Sequence, residues 1–321
     1  MSTASFAPAP TVSVVIPTYN ASALLLETLG TVFRQTHTDF EAVVVVDGCT
    51  DDTLEKLRQV HDARLRIVEQ PNGGIGVARN RGIDEARGKY VALLDHDDLW
   101  HPRKLEVQVD FLQRHPQCAS ATSPFDTTES LEVPQFRREE VCAAPGVVPR
   151  PLRVMATGTQ LILSSALIFV REAATGLRYA TQRQCIEDLP FQIKLMGRGD
   201  FGIAGDDILM TYRMHASNYS KQASFYYNGV RLLRKMDRNG EFAEFTGEAR
   251  QDLDLYIAYM SRWATMMQIT GGYRGQALSL YLSELPHQLR LRRWRYIAAM
   301  PPLLLMPYKA IRKRYGQHAT S

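Results

Sequence analysis

Short runs of apolar residues alternate with amphipathic segments through the first hundred positions of this chain. The three clearest apolar runs cover residues 12–16, 42–46 and 91–94, and each ends close to a proline or an aspartate. Leucine and valine recur at helical spacing over residues 23–33, between the first two runs, and residues 53–60 repeat this pattern after the second. Such strand–helix–strand alternation predicts a parallel sheet with right-handed crossovers, and therefore an α/β fold.

Further elements are expected along the chain. They are a strand at 65–68, a helix at about 102–114, a strand near 161–170, a helix that Glu187 and Asp188 open and that ends near Met196, and a last core strand at 208–213. Residues 123–150 carry many Pro, Glu and Arg residues and are predicted to form a long loop. The pattern turns helical from residue 225, including 253–267 and 277–285. We therefore predict an α/β domain over 1–220 and a helical extension over 221–321.

Three carboxylates follow the third apolar run directly, at Asp95, Asp97 and Asp98. A strand that is buried on both faces does not end in such a cluster unless something offsets the repulsion. A divalent cation such as Mg²⁺ or Mn²⁺, bound by carboxylates and by phosphate oxygens, has this effect. Open α/β sheets place their ligands at this end of their strands. The alternative is that Asp97 or Asp98 caps the next helix. Asp98 could also support the metal ligands by contacts behind them, and of these two roles we favour the cap.

Composition limits the classes of protein that remain. The 321 residues are 45% hydrophobic and 22% charged, which is ordinary for a soluble globular protein. No signal-peptide pattern stands at the N-terminus, and no apolar run reaches the ~18 residues that span a bilayer. The four scattered cysteines are typical of a reducing compartment. These features predict a cytoplasmic protein.

Six short motifs follow one another in a particular order. They are Pro17-Thr18-Tyr19-Asn20, Val46-Asp47-Gly48-Cys49, Asn72-Gly73-Gly74-Ile75-Gly76 with Arg79, Asp95-His96-Asp97-Asp98, Glu187-Asp188, and Tyr212-Arg213-Met214-His215. This succession resembles the family 2 inverting glycosyltransferases of the GT-A fold, over roughly residues 11–220. That fold is a mostly parallel sheet flanked by helices. One departure is Val46-Asp47-Gly48-Cys49, where the family more often has two consecutive acids and a serine, but Asp47 keeps the essential carboxylate.

The resemblance implies a role for each motif. It implies that a nucleotide-sugar binds against Pro17, Thr18, Tyr19, Asn20, Asp47, Gly74, Arg79 and Asp95, and that Asp97 and His215 hold the metal, Mg²⁺ or Mn²⁺. The residues themselves leave two alternatives open. Asp47 could be a turn residue before Gly48, and Arg79 could be a solvated side chain instead of a phosphate ligand.

The acidic pair Glu187-Asp188 is implied to be catalytic. A sugar hydroxyl loses a proton as it attacks the anomeric carbon, and a carboxylate within hydrogen-bond reach is the usual base. The resemblance places that base at Asp188, while Glu187 orients the acceptor or caps the helix. The alternative is that the pair only complements the helix dipole, so that its removal costs stability but not turnover.

The C-terminal tail is strongly basic. From residue 285 to the end there are eight Lys and Arg residues and no acid, whereas the net charge of the whole chain is only +4. Cations mixed with aromatic and aliphatic residues over 285–316 predict peripheral contact with an anionic membrane surface. Pro301, Pro302 and Pro307 are expected to break this tail into two short segments. Packing of the tail on the core remains the alternative, and the acidic body of the chain argues against nucleic acid as a partner.

Together these features predict a metal-dependent inverting glycosyltransferase at the inner face of the cell membrane. It would move a sugar from a nucleotide-sugar to a glycan or lipid-linked acceptor, in the assembly of cell-surface polysaccharide or glycolipid. Two other functions stay open: a sugar-phosphate nucleotidylyltransferase, and a non-catalytic glycan- or membrane-binding protein with the same fold.

Overall fold

The structure is a computed structural model, and it describes residues 9–128, 144–159, 162–183, 185–214 and 223–306. The strands are β1 (Val12–Thr18), β2 (Phe40–Asp47), β3 (Leu65–Gln70), β4 (Tyr90–Leu93), β5 (Leu99–Trp100), β6 (Cys118–Thr122), β7 (Phe125–Thr128), β8 (Gly146–Val148), β9 (Ile168–Val170), β10 (Asp200–Ile203) and β11 (Met210–Arg213). The helices are α1 (Ser22–Phe33), α2 (Thr53–Arg58), α3 (Ile75–Glu85), α4 (Lys104–Arg114), α5 (Pro151–Met155), α6 (Leu189–Met196), α7 (Ala223–Arg238), α8 (Gly247–Thr270), α9 (Arg274–Arg290) and α10 (Trp294–Leu305).

The main sheet has the strand order β3-β2-β1-β4-β9-β6-β10-β8. Its first four strands are parallel, with Thr18 of β1 opposite Val46 of β2 and Val15 opposite Leu93 of β4. Strands β1, β2 and β4 are buried along their whole length, as expected for parallel strands that are covered on both faces. The predicted alternation of strands and helices is therefore confirmed, and the carboxyl ends of these strands lie at one edge.

Three predictions of strands and loops were wrong in detail. The predicted strand at 161–170 is reduced to β9, which runs antiparallel to β4. The predicted core strand at 208–213 is β11, which pairs with β5 and β7 in a separate three-stranded sheet. The predicted loop at 123–150 contains β7 and β8, and its residues 129–143 lie outside the described part of the chain.

Helix α3 lies unusually close to β1 because it contains Gly82. A Cβ atom at this position would come within 2.2 Å of Cγ1 of Val15 and 3.3 Å of Cγ2 of Val45. Only glycine fits such an approach without a shift of the helix or the strands. This packing fixes the height of α3 against the sheet, and with it the position of Arg79, one turn earlier on the same helix.

Helices α1 and α4 begin within two residues of their predicted starts, but the predicted cap of α4 is wrong. Helix α4 begins at Lys104 after Arg103, which makes no side-chain cap hydrogen bond, so Asp98 does not cap it. Asp98 instead contacts other parts of the chain, as described below.

The described contacts divide the chain into two compact units. The first comprises residues 1–149, 160–181 and 194–215 and contains both sheets. The second comprises 150–159, 182–193 and 216–321 and is built mainly of α7, α8, α9 and α10. Among the described residues, no helix combines the length and the apolar character that crossing a membrane requires.

The prolines of the tail do not interrupt its helices as predicted. Helix α10 continues through Pro301 and Pro302, and α9 continues through Pro286. The break between the two helices falls instead at residues 291–293, where Arg292 has a left-handed backbone with φ 54°. Pro307 lies outside the described residues.

Candidate functional site

The turn after β1 is tied to the turn after β2. It contains the predicted nucleotide-binding residues Pro17, Thr18, Tyr19 and Asn20. Asn20 has φ 47°, a conformation that asparagine tolerates better than most residues. Its side chain donates to Thr50 Oγ1 at 3.1 Å and accepts from the Thr50 backbone N–H at 2.8 Å. Thr18 is buried, whereas the ring of Tyr19 is 47% exposed at this edge.

Asp47 is the last residue of β2, and both of its carboxylate oxygens accept hydrogen bonds. Oδ1 accepts from the Gly73 N–H at 2.8 Å and from Gln70 Nε2 at 2.7 Å, and Oδ2 accepts from the Gly74 N–H at 2.8 Å. Gly74 precedes α3 with φ 89°, which favours glycine. Asp47 therefore fixes the conformation of the glycine-rich turn at Gly73 and Gly74. A simple turn residue before Gly48 would not need these contacts.

Arg79 and Asp95 form an ion pair at the same edge. Arg79 Nη2 donates to Asp95 Oδ1 at 2.7 Å, and the Arg79 side chain is only 3% exposed, against 25% for Asp95. The Arg79 guanidinium also lies 5.3 Å from the centre of the Tyr179 ring. The alternative of a solvated arginine is thus wrong. The Asp95 backbone N–H is held by Ser165 Oγ at 3.0 Å.

Asp98 is the buried member of the acidic cluster. Its carboxylate accepts hydrogen bonds from the Ser165 hydroxyl and, at 3.1 Å, from the Arg213 backbone N–H. Burial raises the pKa of Asp98 well above its ordinary value, and the charges of Asp97 and Asp95 raise it further. The structure therefore gives Asp98 a role in holding the acidic loop, residues 95–98, against Ser165 and against β11.

Sequence reasoning missed the principal role of Arg213. Its guanidinium is 1% exposed; it donates to the Asp97 carbonyl oxygen and, at 2.5 Å, to Glu27 on α1. A fork of donors that is always charged suits this bridging position. Ser165 was also missed: it contacts Asp95 and Asp98, and its carbonyl oxygen accepts from the Trp100 indole at 2.7 Å. Arg213 lies in the motif at residues 212–215 and Ser165 in none, but neither role could be read from the sequence, because both residues act through contacts distant in sequence.

The acidic loop fits an open site for a divalent cation. Mg²⁺ and Mn²⁺ are commonly held by one or two carboxylates together with substrate phosphates and water. Asp97 is half-buried and Asp95 is partly exposed beside it, and their negative charges add to the effect of burial in raising the pKa of Asp98. In the described part of the chain, no three His, Cys, Asp or Glu side chains form a closed metal cage. The predicted ligand His215 lies outside the described residues.

Glu187 and Asp188 belong to the second unit, where they stand directly before α6 as predicted. The Asp188 backbone carbonyl accepts from the Gln192 N–H at 3.0 Å, and its Oδ2 atom accepts from Gln192 Nε2 at 3.2 Å. Burial raises the pKa of Tyr226 and Tyr256, and the negative charge of Asp188 adds to both effects. Asp188 is therefore close to an aromatic cluster of the helical unit.

Comparison with known proteins identifies the class. The family model of Glycosyl transferase family 2 matches residues 13–178, more than half of the chain. The chain therefore belongs to glycosyl transferase family 2. It is an enzyme of the glycosyltransferase class with a GT-A type fold, which confirms the predicted family, activity class and fold.

Individual relatives agree with this assignment. The chain is 27% identical over 250 residues to the putative teichuronic acid biosynthesis glycosyltransferase TuaG of Bacillus subtilis, covering 75% of this chain and 96% of that protein. It is 41% identical over 114 residues to an uncharacterized glycosyltransferase of Rickettsia felis, covering 35% of this chain but 19% of that protein.

Two solved structures share the fold. S. aureus TarS 1-349 superposes with a TM-score of 0.61 at 20% identity, covering 96% of this chain and 92% of that one. The mannosyltransferase PcManGT of Pyrobaculum calidifontis, solved with GDP-Man and Mn²⁺, gives a TM-score of 0.60 at 20% identity, covering 96% and 88%. Both superpositions therefore show that the chain shares its fold with these two structures.

Proposed function

We propose that this glycosyltransferase is an inverting enzyme that moves a sugar from a nucleotide-diphosphate sugar to an acceptor hydroxyl. The observation that carries the proposal is the arrangement at the carboxyl edge of the parallel strands. There a shaped glycine turn held by Asp47, the Arg79–Asp95 ion pair and the half-buried Asp97 adjoin one another. This is the edge at which open α/β sheets bind nucleotides.

The donor binds with its nucleotide toward the first two strands. Asp47 and the Pro17–Asn20 turn contact the base and ribose, and the exposed Tyr19 ring offers a stacking surface. Gly74 allows close approach of the diphosphate, and Asp95 contacts the ribose or the metal. Support for this donor class comes from two relatives in fold, since TarS has been solved with UDP-GlcNAc and PcManGT with GDP-Man and Mn²⁺.

Asp97, with Asp95 beside it and His215, would hold Mg²⁺ or Mn²⁺ against the diphosphate. When bound, the cation would neutralise charge on the departing nucleoside diphosphate. Arg213 keeps Asp97 in place by donating to its carbonyl oxygen, so the protein's own contribution is a fixed position for the carboxylate. Arg79, held by Asp95, adds a second positive charge at this edge.

Asp188 is the catalytic base of the proposal. It takes the proton from the acceptor hydroxyl while that oxygen attacks the anomeric carbon. The new carbon–oxygen bond forms as the bond to the diphosphate oxygen breaks, so a single displacement inverts the anomeric centre. Gln192 donates to Asp188 Oδ2 and thereby orients the carboxylate. Glu187, next to the base, would orient the acceptor.

The acceptor is a glycan or a lipid-linked glycan of the cell surface. TuaG, which aligns along nearly all of its length, is named as a putative enzyme of teichuronic acid biosynthesis, and this supports a surface-polysaccharide role. The basic and aromatic tail, 285–316, would bring the enzyme to an anionic membrane from the cytoplasmic side. We expect the protein to sediment with phosphatidylglycerol vesicles, and salt to weaken this binding. Equal sedimentation with neutral vesicles would contradict the proposed membrane contact.

The decisive experiment compares three isosteric variants in a donor screen. Purified protein with Mn²⁺ is tested for nucleoside-diphosphate release from UDP-, GDP- and dTDP-sugars, with Asp97→Asn, Asp188→Asn and, as the control, Asp110→Asn on the exposed face of α4. We expect D97N to abolish donor binding measured by thermal shift, D188N to keep donor binding but lose turnover at least 100-fold, and D110N to change neither. Formation of nucleoside triphosphate from the donor and added pyrophosphate, kept in D188N and lost in D97N, would favour a nucleotidylyltransferase, and no donor binding at all would favour a non-catalytic protein.

A further inference from the structure

A groove of about 800 Å³ runs along the helical unit between α8 and α10. It lies among residues to which the proposed sugar transfer assigns no chemistry. Its size is within the range of small-molecule binding sites. The residues that line it are Arg262, Trp263, Met266, Met267, Thr270, Arg292, Arg293, Trp294, Arg295, Tyr296, Ala299, Met300 and Leu303.

The floor of the groove is apolar and deformable. It is formed by Met266 and Met267 of α8 and by Met300 and Leu303 of α10, and three of these belong to the small hydrophobic core of the helical unit. Methionine side chains are unbranched and polarizable, so a Met-rich surface adapts to flexible apolar ligands. A hydrocarbon chain is the ligand that such a floor suits best.

The rim of the groove is cationic. Arg262, Arg292, Arg293 and Arg295 stand around it, and no carboxylate within the described ranges pairs with any of the four. Four other arginines of the unit, Arg150, Arg234, Arg250 and Arg290, are each paired with a carboxylate. The positive charge of the rim, unlike the charge of those four, is therefore uncompensated by the described chain.

Arg262 and Arg293 are the most constrained members of the rim. Arg293 is half-buried, and burial lowers its pKa, with the positive charge of Arg262 as the second cause. The Arg262 guanidinium lies 5.5 Å from the centre of the Tyr259 ring. Two like charges held together at the end of an apolar groove are stabilised when a multiply charged anion binds between them.

We propose that this groove binds a single-chain lipid with a phosphate head, the chain lying on the methionine floor and the phosphate between Arg262 and Arg293. The chain's own C-terminal segment is a poor occupant, because residues 307–316 carry four further cations and no acid. A neutral amphiphile would leave the arginines without a partner, and a free phosphate would leave the apolar floor exposed.

Two aromatic rings, those of Trp263 and Tyr226, connect the groove with the proposed catalytic base. The ring of Trp263, which lines the groove, packs edge-on against Tyr226 with 6.4 Å between ring centres. Burial raises the pKa of Tyr226, and the negative charge of Asp188 raises it further. A lipid phosphate in the groove would thus place an attached glycan on the side of the unit that carries Asp188. This last step, unlike the binding itself, rests on the proposed function.

Lipid binding is testable without any sugar donor. Two of the three tryptophans of the chain, Trp263 and Trp294, line the groove, so intrinsic fluorescence reports its occupation. We expect full-length protein to bind monomeric dodecyl phosphate at least tenfold more tightly than dodecyl maltoside or inorganic phosphate. The variant R262Q/R293Q is expected to bind dodecyl phosphate about 30-fold more weakly, since each cation near a lipid phosphate contributes on the order of a fivefold effect.

A matched control separates this site from general charge attraction. Arg238 is an exposed arginine at the end of α7 that does not line the groove, and R238Q should bind dodecyl phosphate like the wild type. A second variant, Ala299→Phe, narrows the groove and should weaken the binding while the rim stays intact. The melting temperature of R262Q/R293Q should equal or exceed that of the wild type, because a like-charge pair has been removed.

Several results would overturn the proposal. Equal affinity for dodecyl maltoside would show that only the floor matters, and equal affinity for inorganic phosphate would show an anion site without a lipid. Unchanged binding in both R262Q/R293Q and A299F, or a loss in R238Q as large as in the double variant, would place the lipid elsewhere. Because the assay contains no donor, any of these results leaves the proposed sugar transfer standing.

Discussion

Glu41 on β2 offers the sharpest test of the electrostatics of the sheet. Its carboxylate is 4% exposed and accepts hydrogen bonds from the Ser13 hydroxyl at 2.6 Å, from the Arg87 backbone N–H at 2.9 Å and from the guanidinium groups of Arg87 and Arg66 at 2.7 and 2.8 Å. Burial alone would raise its pKa, but the hydrogen bonds outweigh burial and lower it from 4.5 to about 2. Glu41 therefore joins β2 to β1 and to the turn that leads into β4.

The size of this contribution follows from the pKa. A shift from 4.5 to about 2 corresponds to roughly 3 kcal/mol of stability. Arg87 is 57% exposed and Arg66 is 30% exposed, so solvent screening reduces our expectation to about 2 kcal/mol. Because the folded pKa lies below the unfolded one, the stabilisation is complete above about pH 4.5 and is lost as the pH falls toward 2.

Glu41→Gln removes the charge but keeps an oxygen for Ser13 and the Arg87 N–H. Urea unfolding of E41Q and wild type is followed by tryptophan fluorescence at pH 7 and at pH 3. We expect E41Q to be about 2 kcal/mol less stable at pH 7 and less than half of that at pH 3. Glu69→Gln is the control, since Glu69 is 53% exposed in its ion pair with Arg58 and should cost under ~1 kcal/mol. A difference for E41Q that is the same at both pH values would refute the reasoning.

Three further substitutions test how the sheet edge is held. Arg213→Lys keeps a charge but loses the fork of donors that contacts both the Asp97 carbonyl oxygen and Glu27. A loss of about 3 kcal/mol in urea unfolding and weaker Mn²⁺-dependent donor binding are expected, and wild-type values of both would contradict this reasoning. Gly82→Val drives new atoms into Val15 and should lower stability by about 2 kcal/mol or more, measured as a drop in melting temperature. Gly275→Val is the control: its side chain enters open space and causes no clash, so its melting temperature should fall less. Burial lowers the pKa of the fully buried Lys104 well below its ordinary value, so the lysine binds its proton better in the unfolded chain and the protein gains stability as the pH rises. Lys104→Met should therefore raise the melting temperature at pH 6 and do so less at pH 9.5, and an equal change at both would be inconsistent with the low pKa.

The first half of the sheet could be predicted from the sequence because its elements are locally encoded. Residues 42–46 are a continuous apolar run and residues 12–16 are apolar except for Ser13, and such runs are typical of parallel strands covered on both faces. The last core strand was placed in the wrong sheet, since 208–213 carries apolar character that suits a small sheet as well as a large one. Its partners, β5 and β7, are distant in sequence, and nothing local selects them.

The candidate site likewise contains residues that local motifs predict and residues whose roles depend on contacts distant in sequence. Asp47, Arg79 and Asp95 belong to motifs, and their neighbourhood at one edge follows from the ends of parallel strands. The function of Asp98 was misassigned because its hydrogen-bond partners, Ser165 and Arg213, are 67 and 115 residues away. An aspartate before a helix is indistinguishable from a cap until the fold brings such partners to it.

The tail shows the opposite error, in which a local rule was given too much weight. Pro301 and Pro302 suggest a helix break, but α10 continues through them to Leu305. Contacts of Tyr296 and Met300 with the helical core stabilise the segment on its inner side. The missing backbone donors of two prolines are an acceptable loss where tertiary packing, and not helix propensity, stabilises the element.

The three hydrogen bonds that Asp47 accepts from its own chain have a consequence for ligand capture. The glycine turn takes its conformation during folding. The chain entropy lost in ordering the turn is therefore part of the cost of folding and not of the cost of ligand binding. Such a preformed site should bind its ligand quickly and select ligands by their shape, because no part of the turn has to become ordered after the ligand arrives. Loosening that turn would slow recognition before it altered any chemical step.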